Sequence, residues 1–554
     1  MIKKLILNNN LSGNKIFLSL INNTVMFYNY HEDYQYDSCI SKGICSINPR
    51  TSSLREVLVM YLKQLSFYTL HLKYLGVKNC DTEDIILNTL SGLMSNLETG
   101  NKQFYQTLIN LKSIIIESIE TYKRICSERR IEAKEIKTNI KLSKSMNITD
   151  LIQLGEKEFS KKLKSISEEK RNIYEIIFLV LKSICINLVE LKSFGQEDSC
   201  AYSEILYLLN TINFPELSTK ILLKKIKKAV EIDFSLTKKL YETKQKYYGE
   251  QTEAEVSYST DKGKAILVAG TNLQELKFVL DATQNKDISI YTHGEMILAY
   301  TYPFFRKYPH LKGQFGKGIE SCLLDFATFP GAILIAKHSL ENIEYLYRGR
   351  LFTTDNFVPQ GVIKINNNDY NPLITSAMSA KGFKNGKLRE SKFIGCNPSE
   401  FDEKIKLIIK NINKYKHILI FGTEEATQEQ KEYFNNLVKY IKNDTLIISL
   451  AEAHKTKNTI HIKSAPDFYM IYKIIDKILP IAKSNGVKIT FFISKCDKHT
   501  ISNILNLKNM GIDNIYLSRC TPIMLNPTLT ETIKNLYKIN PTTSPNNDIN
   551  KIYQ

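Results

Sequence analysis

The spacing of apolar residues changes near residue 250, and this change constrains the fold more than any other feature of the sequence. Before it, apolar residues recur at three- and four-residue steps, as in Leu54–Leu65, which is the period of an amphipathic helix. After it, short apolar runs such as Lys264–Gly270 and His417–Gly422 alternate with helical patterns. Buried parallel strands joined by crossover helices produce such alternation. The sequence therefore predicts a helical region followed by parallel α/β structure.

The individual elements can be read from the same periods. Proline is nearly absent from the helical region, as long helices require, and further helices are predicted over residues 104–119, 171–191, 201–212 and 218–232. The Lys-rich stretch Lys123–Lys144 is interpreted as a helix with a solvated face. Later strands are predicted over residues 264–270, 288–294, 331–336, 361–365, 417–422, 445–450, 487–493 and 514–517.

These elements predict an α/β multidomain protein, in which an N-terminal all-α helical-bundle domain is followed by two Rossmann-like doubly wound α/β domains. We expect a cysteine-containing loop region over residues 1–60 and the helical domain over 61–256. The first α/β domain is expected over 257–410 and the second over 411–554. The tail from Asn540 is rich in Asn, Pro, Thr and Ser and is expected to fray.

Cysteine content and hydropathy indicate the compartment. Ten cysteines in 554 residues are too few for a disulfide scaffold, so mostly free thiols in a reducing compartment are expected. No run of 18 apolar residues occurs, and the best candidate, Ile176–Leu181, is followed by Lys182 and fits a buried helix. We expect a soluble, cytoplasmic protein with no membrane partner.

The charge balance raises the question of an acidic partner. Lys and Arg number 75 against 57 Asp and Glu, which gives a net charge of +18. The lysines are scattered, and no basic motif interleaved with aromatic residues occurs. We favour solvated surface residues over a binding patch, and we expect no specific nucleic-acid partner.

Polar residues follow several predicted strands, where ligands gather in parallel α/β sheets. Glu295, Glu424, Glu452 and Asp497 supply carboxylates at four such ends, and His499 follows the last. Converging carboxylates with imidazole suit iron, manganese or zinc. Each carboxylate could equally cap the next helix. No GxGxxG or GxxxxGK pattern follows these strands, which disfavours nucleotide binding.

Four segments carry a resemblance to a known family. They are Tyr291–Met296, Tyr302–Gly316, Phe326–Leu334 and Arg350–Val362. They resemble the hybrid-cluster protein family, also called hydroxylamine reductases or prismane proteins, of which this chain would be a divergent member. The order of one helical and two α/β domains is similar to the family fold.

The resemblance implies two iron–sulfur centres and a reductive reaction on hydroxylamine or nitric oxide. It also implies an electron-transfer protein as partner, because electrons reach the reaction centre through the first cluster. That cluster is implied to sit on four N-terminal cysteines, of which Cys39 and Cys45 match. His31 and Tyr28 fall on the other two positions, and imidazole is an accepted ligand for iron in some clusters.

The second centre is implied to be an iron–sulfur–oxygen hybrid cluster. Glu295 matches one family ligand and Asp497 falls on the late glutamate, with His499 on a neighbouring lysine position; this makes Glu295, Asp497 and His499 the candidate catalytic residues. The histidine of the family falls on Thr271, and its cysteines fall on Ser339, Glu424 and Glu452, with a further one near Phe468. Every expected thiolate is therefore missing at this centre.

Three hypotheses follow. The first is a catalytically degenerate protein that keeps the fold and acts by binding, as a partner or regulator of a true family member. The second is an oxidoreductase with a remade iron or divalent-metal centre at Glu295, Glu424, Glu452 and Asp497. The third is a working reductase whose cluster ligands lie elsewhere in the chain.

Overall fold

A computed structural model describes residues 49–93, 101–136, 146–316, 321–340, 345–422, 428–450, 458–462, 468–493, 499–518 and 527–554. The chain divides into two compact units. Unit 1 comprises the described residues within Met1–Leu236, Asn356–Gln360 and Leu525–Thr532, and unit 2 comprises the other described residues. The finer division into four segments stays a prediction.

Seven helices include most of the described residues between Pro49 and Tyr248. They are α1 Pro49–Tyr74, α2 Cys80–Gly92, α3 Asn101–Glu128, α4 Ile148–Ser165, α5 Glu168–Ser193, α6 Ser199–Thr211 and α7 Thr219–Tyr248. The helical region predicted from the apolar period is thereby confirmed. Helix α1 begins at Pro49, before the helical period read from Leu54, and it buries Thr51, Ser52 and Ser53.

Helices α1 and α4 of unit 1 approach closely because Gly155 has no side chain. A Cβ added at Gly155 would lie 2.1 Å from the carbonyl oxygen of Ser53. The same two helices share a buried ion pair between Glu56 and Lys162. Because removal of one partner would leave the other charge uncompensated, this contact favours the observed packing of the two helices.

Nearly every residue of helix α5 from Asn172 to Leu191 is buried. Helix α5 is the one helix in the described part of the chain that is long and apolar enough to cross a membrane, and 94% of its most apolar window is buried inside the protein. Lys182 is only 1% exposed, and burial lowers its pKa to about 8. The buried helix predicted from the interruption at Lys182 is confirmed.

The helix predicted over Lys123–Lys144 is wrong between Arg129 and Ile136, and residues 137–144 lie outside the described residues. Ile131 N donates to Cys126 O at 2.8 Å and Arg130 N donates to Ser127 O at 3.1 Å, which is the hydrogen-bond pair of a Schellman cap. Arg130 takes the left-handed conformation, with φ of 56°. Glycine is the residue that usually occupies this position, so the sequence carries no sign of the helix end. Residues 131–136 have no regular structure.

The later residues form fourteen strands within the described ranges. They are β1 Ala254–Ser257, β2 Lys264–Ala269, β3 Ile288–His293, β4 Leu311–Gln314, β5 Ala332–Ile335, β6 Leu351–Thr353, β7 Ile363–Lys364, β8 Ser391–Ile394, β9 His417–Phe421, β10 Thr445–Ser449, β11 Thr459–His461, β12 Lys488–Ile493, β13 Asn514–Leu517 and β14 Ile539–Pro541.

Helices connect these strands. They are α8 Leu273–Thr283, α9 Cys322–Thr328, α10 Tyr345–Arg348, α11 Asn371–Ser379, α12 Pro398–Asn411, α13 Gln428–Leu437, α14 Phe468–Ser484, α15 Thr500–Met510, α16 Pro527–Tyr537 and α17 Pro545–Tyr553. Short 3₁₀ helices cover Gly294–Thr301, Pro303–Lys307, Ile412–Lys414 and Val438–Tyr440.

Two parallel six-stranded sheets organise unit 2. The first has the order β4-β3-β2-β5-β6-β7 and the second the order β11-β10-β9-β12-β13-β14. Both are the 3-2-1-4-5-6 order of Rossmann-like sheets, so the predicted fold class is confirmed. In such sheets the order reverses beside the first strand, here between β2 and β5 and between β9 and β12. A crevice opens at the carboxyl ends of these strand pairs.

A separate antiparallel pair, β1 with β8, packs on the first sheet. Ala254 lies opposite Ile394 and Ser257 opposite Ser391. Val256, Ile394 and Ile297 form a buried cluster, with Ile297 supplied by the 3₁₀ helix Gly294–Thr301. The β1–β8 pair is thus anchored to the 3₁₀ helix that begins with Gly294 and Glu295.

The expected fraying of the tail is wrong, because α17 packs against the second sheet. Ile549 and Ile552 are 1% and 3% exposed and belong to the core cluster that includes Leu419 and Phe434. Asp548 is fully buried, and Tyr433 Oη donates to its Oδ2 at 2.7 Å. A polar composition therefore conceals a helix with one apolar face.

Truncating this face should destabilise the second sheet. Ile549→Ala removes a buried side chain and leaves a cavity, so we expect the free energy of unfolding to fall by about 2–5 kcal/mol. Lys551→Ala, at an exposed position of the same helix, should change it by less than about 0.5 kcal/mol. Denaturant unfolding of the full chain measures both. Equal midpoints for Ile549→Ala and the unsubstituted protein would contradict the packed position of α17.

Candidate functional site

Of the predicted site residues, the structure describes Glu295 and His499. Six others lie outside the described residues; they are His31, Cys39, Cys45, Glu424, Glu452 and Asp497. Whether the four carboxylates converge therefore stays a prediction. Within the described residues, no group of three or more His, Cys, Asp or Glu side chains is arranged to hold a metal ion.

Glu295 lies in the first turn of the 3₁₀ helix that follows β3, at the carboxyl end of that strand. Its backbone is held by the neighbouring strand β4. Gln314 Nε2 donates to the carbonyl oxygen of Gly294 at 2.9 Å, and Thr292 Oγ1 donates to Gln314 Oε1. Thr292 and Gln314 are direct partners in the β3–β4 register. Glu295 itself is half-buried.

A second polar contact fixes the residue before this turn. His293 is 4% exposed, and its Nε2 lies 3.1 Å from Asp325 Oδ2. Because an ionised carboxylate only accepts hydrogen bonds, the ring N–H donates in this contact. Ser321 Oγ donates to the same carboxylate oxygen at 2.5 Å. The end of β3 is therefore clamped from β4 and from the turn of α9.

Sequence reasoning did not find Gln314 or Asp325. Gln314 lies 20 residues from Gly294 and Asp325 lies 32 from His293, so no local spacing reveals either contact. The segment Tyr302–Gly316, which carries part of the family resemblance, contains Gln314. It is the sequence feature that could have indicated this residue.

His499 precedes α15, where it is the half-buried N-terminal flanking residue. Its side chain makes no capping hydrogen bond, and its carbonyl oxygen accepts from Asn503 N at 2.8 Å. His499 therefore lies on the carboxyl-end side of β12 in the second sheet, whereas Glu295 lies at the corresponding end of β3 in the first.

The ends of β2 and β5 meet at the reversal point of the first sheet. Gly270 follows β2 with φ of 113°, and a Cβ there would lie 2.7 Å from Ser339 Oγ. Ser339 Oγ is itself buried without a hydrogen-bond partner among the described residues. Thr271 follows Gly270 and is half-buried. The groups at this point are hydroxyls, which are weak ligands for the soft iron of a sulfide-bridged cluster.

Next to them lies a network of buried carboxyl groups that sequence reasoning also missed. Asn272 caps α8 by accepting from Glu275 N at 3.3 Å. Glu275 Oε1 accepts from Lys337 N at 3.2 Å and from Thr354 Oγ1 at 2.8 Å, which ties α8 to the segments after β5 and β6. Burial raises the pKa of Glu275 to about 7, and the nearby charge of Asp355 adds to the increase.

Asp355 secures the same loop from the other side. Its Oδ1 accepts from His338 N at 2.9 Å, and His338 takes the left-handed conformation with φ of 63°. This conformation is unfavourable for a residue other than glycine or asparagine, so the surrounding contacts must hold it. The two acids together determine how the chain leaves β5 before Ser339.

The raised pKa of Glu275 predicts a pH-dependent stability. The folded protein holds a proton on Glu275 up to about pH 7, whereas the unfolded chain releases it near 4.5. Stability is therefore lost as the pH rises between these values, by an amount on the order of 3 kcal/mol. Glu275→Gln, which mimics the protonated carboxyl, should remove this slope. Relative to the unsubstituted protein, the variant should gain stability from pH 4.5 to pH 8.

Denaturant unfolding at several pH values measures the effect. Glu403→Gln, at an exposed position on α12, is the matched control and should leave the slope in place. Parallel stability curves for Glu275→Gln and the unsubstituted protein would contradict the buried, protonated state of Glu275.

Comparison with known proteins gives one family. The sequence matches the model of the Prismane/CO dehydrogenase family over residues 35–460. A hydroxylamine reductase of Methanocella arvoryzae is 22% identical over 542 residues, which cover 95% of this chain and 99% of the relative. A hydroxylamine reductase of Thermodesulfovibrio yellowstonii is 24% identical over 537 residues, covering 93% and 97%.

Among solved structures, carbon monoxide dehydrogenase IV from Carboxydothermus hydrogenoformans aligns with 99% of this chain and 94% of its own. The TM-score is 0.43 and the sequence identity 10%, and at these values the likeness supports no inference about this chain.

Proposed function

The chain belongs to the Prismane/CO dehydrogenase family, and from this premise we propose that it is a hydroxylamine reductase-like protein that has lost the family's reaction and acts by binding. One observation supports this proposal more strongly than any other. At the reversal point of the first sheet, the side chains are the hydroxyls of Thr271 and Ser339, where the resemblance implies a histidine and a cysteine. The resemblance implies another cysteine near Phe468, which lies at the start of α14.

The chemistry of these side chains does not fit a hybrid cluster. Thiolates hold such clusters because each supplies a soft, negatively charged sulfur that bonds to iron and compensates its charge. A serine hydroxyl is neutral at physiological pH and a phenyl ring has no donor atom. We therefore assign no reaction step to an iron–sulfur–oxygen cluster in this chain.

The surroundings of the site support a retained scaffold. The Glu295 turn is held by Gln314, and His293 is held by Asp325. The loop that carries Ser339 is tied down by Glu275 and Asp355. Buried polar groups are costly when unpaired, so a fold that has kept these pairs still places its surfaces in a fixed arrangement. Binding needs this arrangement and does not need the thiolates.

The proposed binding partner is a true family member or an electron-transfer protein, and the proposed location is the cytoplasm. A partner or regulator of an active homologue would use the shared shape of the fold. The sparse cysteines are compatible with a reducing compartment.

The second candidate is an oxidoreductase with a remade metal centre of oxygen ligands. Glu295 favours it, because its position is fixed at a strand end by the Gln314 contact. Glu424, Glu452 and Asp497 would complete the ligand set. Carboxylates suit iron or manganese without sulfide, so this candidate differs from the first in metal content.

Elemental analysis separates these candidates. We expect the full chain, produced anaerobically with an iron–sulfur assembly system, to contain no stoichiometric iron or acid-labile sulfide. We also expect no hydroxylamine-dependent oxidation of a reduced viologen dye. The hydroxylamine reductase of T. yellowstonii, prepared in parallel, is the control for cluster assembly. Stoichiometric sulfide together with turnover in this chain would overturn the proposal.

Metal without sulfide would favour the second candidate. In that case Glu295→Gln should lower the metal content, because it removes a charged ligand. Glu255→Gln, on the exposed side of β1, should leave it unchanged. Equal loss from both variants would indicate adventitious surface binding and would count against a metal centre.

A further inference from the structure

The segment Lys381–Phe393, which we call the basic ribbon, is the surface of unit 2 that the proposed function leaves unexplained. It carries five cations and one acid; the cations are Lys381, Lys384, Lys387, Arg389 and Lys392, and the acid is Glu390. Residues 384–393 are all exposed. A charge excess of this density on so short a segment creates a local positive potential.

The cations of the basic ribbon are not neutralised by the described part of the protein. Lys381, Lys384, Lys387 and Arg389 form no ion pair with any described residue, and Lys392 Nζ lies 5.4 Å from the centre of the Tyr258 ring. On the adjoining segment, Asp261 lies 3.6 Å from Lys312. Glu255 lies opposite Phe393 in the β1–β8 register and forms no ion pair with any described residue. The positive charge is therefore available to a partner.

Apolar side chains lie among these cations. Leu388 is 94% exposed and Phe393 is 47% exposed. Leu388 is flanked on both sides by cations, at Lys387 and Arg389. An apolar centre with a charged rim is the usual composition of a protein-binding surface.

The backbone of the basic ribbon is already ordered. Lys387 N donates to Thr260 O at 2.8 Å and Thr260 N donates to Lys387 O at 2.9 Å. Arg389 N donates to Ser259 Oγ at 3.0 Å. Leu388 is held between these anchored residues, so its binding by a partner would cost little conformational entropy of the backbone.

Protection of a sheet edge is the simplest alternative explanation. Lysines on an edge strand discourage pairing with other chains, and β8 pairs only with β1 among the described strands. This explains Lys392, which lies on β8. It does not explain Leu388, because a protected edge avoids an exposed apolar side chain.

The chemistry of the surface selects the class of partner. Phosphate backbones need cations, but they gain nothing from an aliphatic side chain such as Leu388. Stacking of bases needs aromatic faces, and Phe393 is the one large aromatic side chain exposed on the segment. Stable attachment to a membrane surface needs a broader apolar face or a lipid anchor. Carboxylates arranged around an apolar contact satisfy both components of the basic ribbon.

We propose that the basic ribbon is a docking surface for an acidic protein partner, with Leu388 as its apolar contact. The surface also has a physical connection to the site. Val256 and Ile394 of the β1–β8 pair pack on Ile297, which is on the same 3₁₀ helix as Glu295. Strand β8, whose first three residues end the basic ribbon, therefore packs through Ile394 on the element that carries Glu295. The inference rests on this surface and holds whether or not the protein binds a metal.

Two peptides test the proposal with the full chain. One repeats Glu-Leu-Asp-Glu and the other repeats Glu-Gly-Asp-Glu, so they differ only in the apolar residue. We expect the leucine peptide to bind more tightly, by about ten-fold. The triple variant K384E/K387E/R389E should weaken its binding at least ten-fold, and binding should weaken as salt concentration rises. Leu388→Ser should remove most of the difference between the two peptides.

A matched control separates this surface from overall charge. K220E/K224E/K227E makes the same change in net charge at exposed positions on α7, and it should bind the leucine peptide as tightly as the unsubstituted protein. Circular dichroism confirms that each variant is folded. Equal weakening by both triple variants would overturn the proposal. So would tighter binding of single-stranded DNA or phosphatidylserine vesicles through the same three cations, and so would equal affinity for the two peptides.

Discussion

The parallel pairing of β2 with β5 is the constraint on which the described site depends. Ala269 lies opposite Ile335, and Ala336 N donates to Ala269 O at 2.9 Å, so the two strands end at the same level. This brings Gly270 against Ser339, at the point where the order of the sheet reverses. Because β3 pairs with β2 on its other side, Glu295 follows a strand of the same edge. The fold alone therefore places residues from distant parts of the sequence along one crevice.

Several buried polar groups lie at this carboxyl-end edge of the first sheet. At a functional crevice one expects side chains aimed at a ligand, yet here Asn272, Glu275 and Asp355 are turned to the backbone of α8 and of the loop after β5. Glu275 and Asp355 therefore serve in this sheet as ties between the backbone segments. These contacts hold His338 in a left-handed conformation that is otherwise unfavourable for this residue. A scaffold of this kind remains rigid when the chemistry in its crevice changes.

The sequence predicted those parts of the fold that arise from local periodicity. Continuous apolar runs such as Ile418–Phe421 are unambiguous because both faces of a parallel strand are buried. The end of α3 was missed because Arg130 takes the position that glycine usually marks. The helix of the tail was missed because Ile549 and Ile552 are two apolar residues in a polar segment, and only their contact with the second sheet reveals their role.

The contacts of the site were harder to predict because they join residues that are far apart in sequence. Glu275 meets Thr354 across 79 positions, and its raised pKa follows from burial that no local pattern encodes. The family resemblance located Glu295 and Ser339, because the matched segments surround strand ends. It could not supply the contacts that hold these residues.

A cluster site and a docking surface such as the basic ribbon depend on different parts of the same fold. A cluster site depends on a few ligand atoms, and substitution of those atoms abolishes it without unfolding the sheet. A docking surface depends on many exposed side chains and on the backbone beneath them, and the pairing of Lys387 with Thr260 keeps that backbone in place. The interior contact through Ile297 ties this surface to the Glu295 turn. The strand in which the ribbon ends and the Glu295 turn therefore pack against each other, and substitution of cluster ligands does not remove this contact.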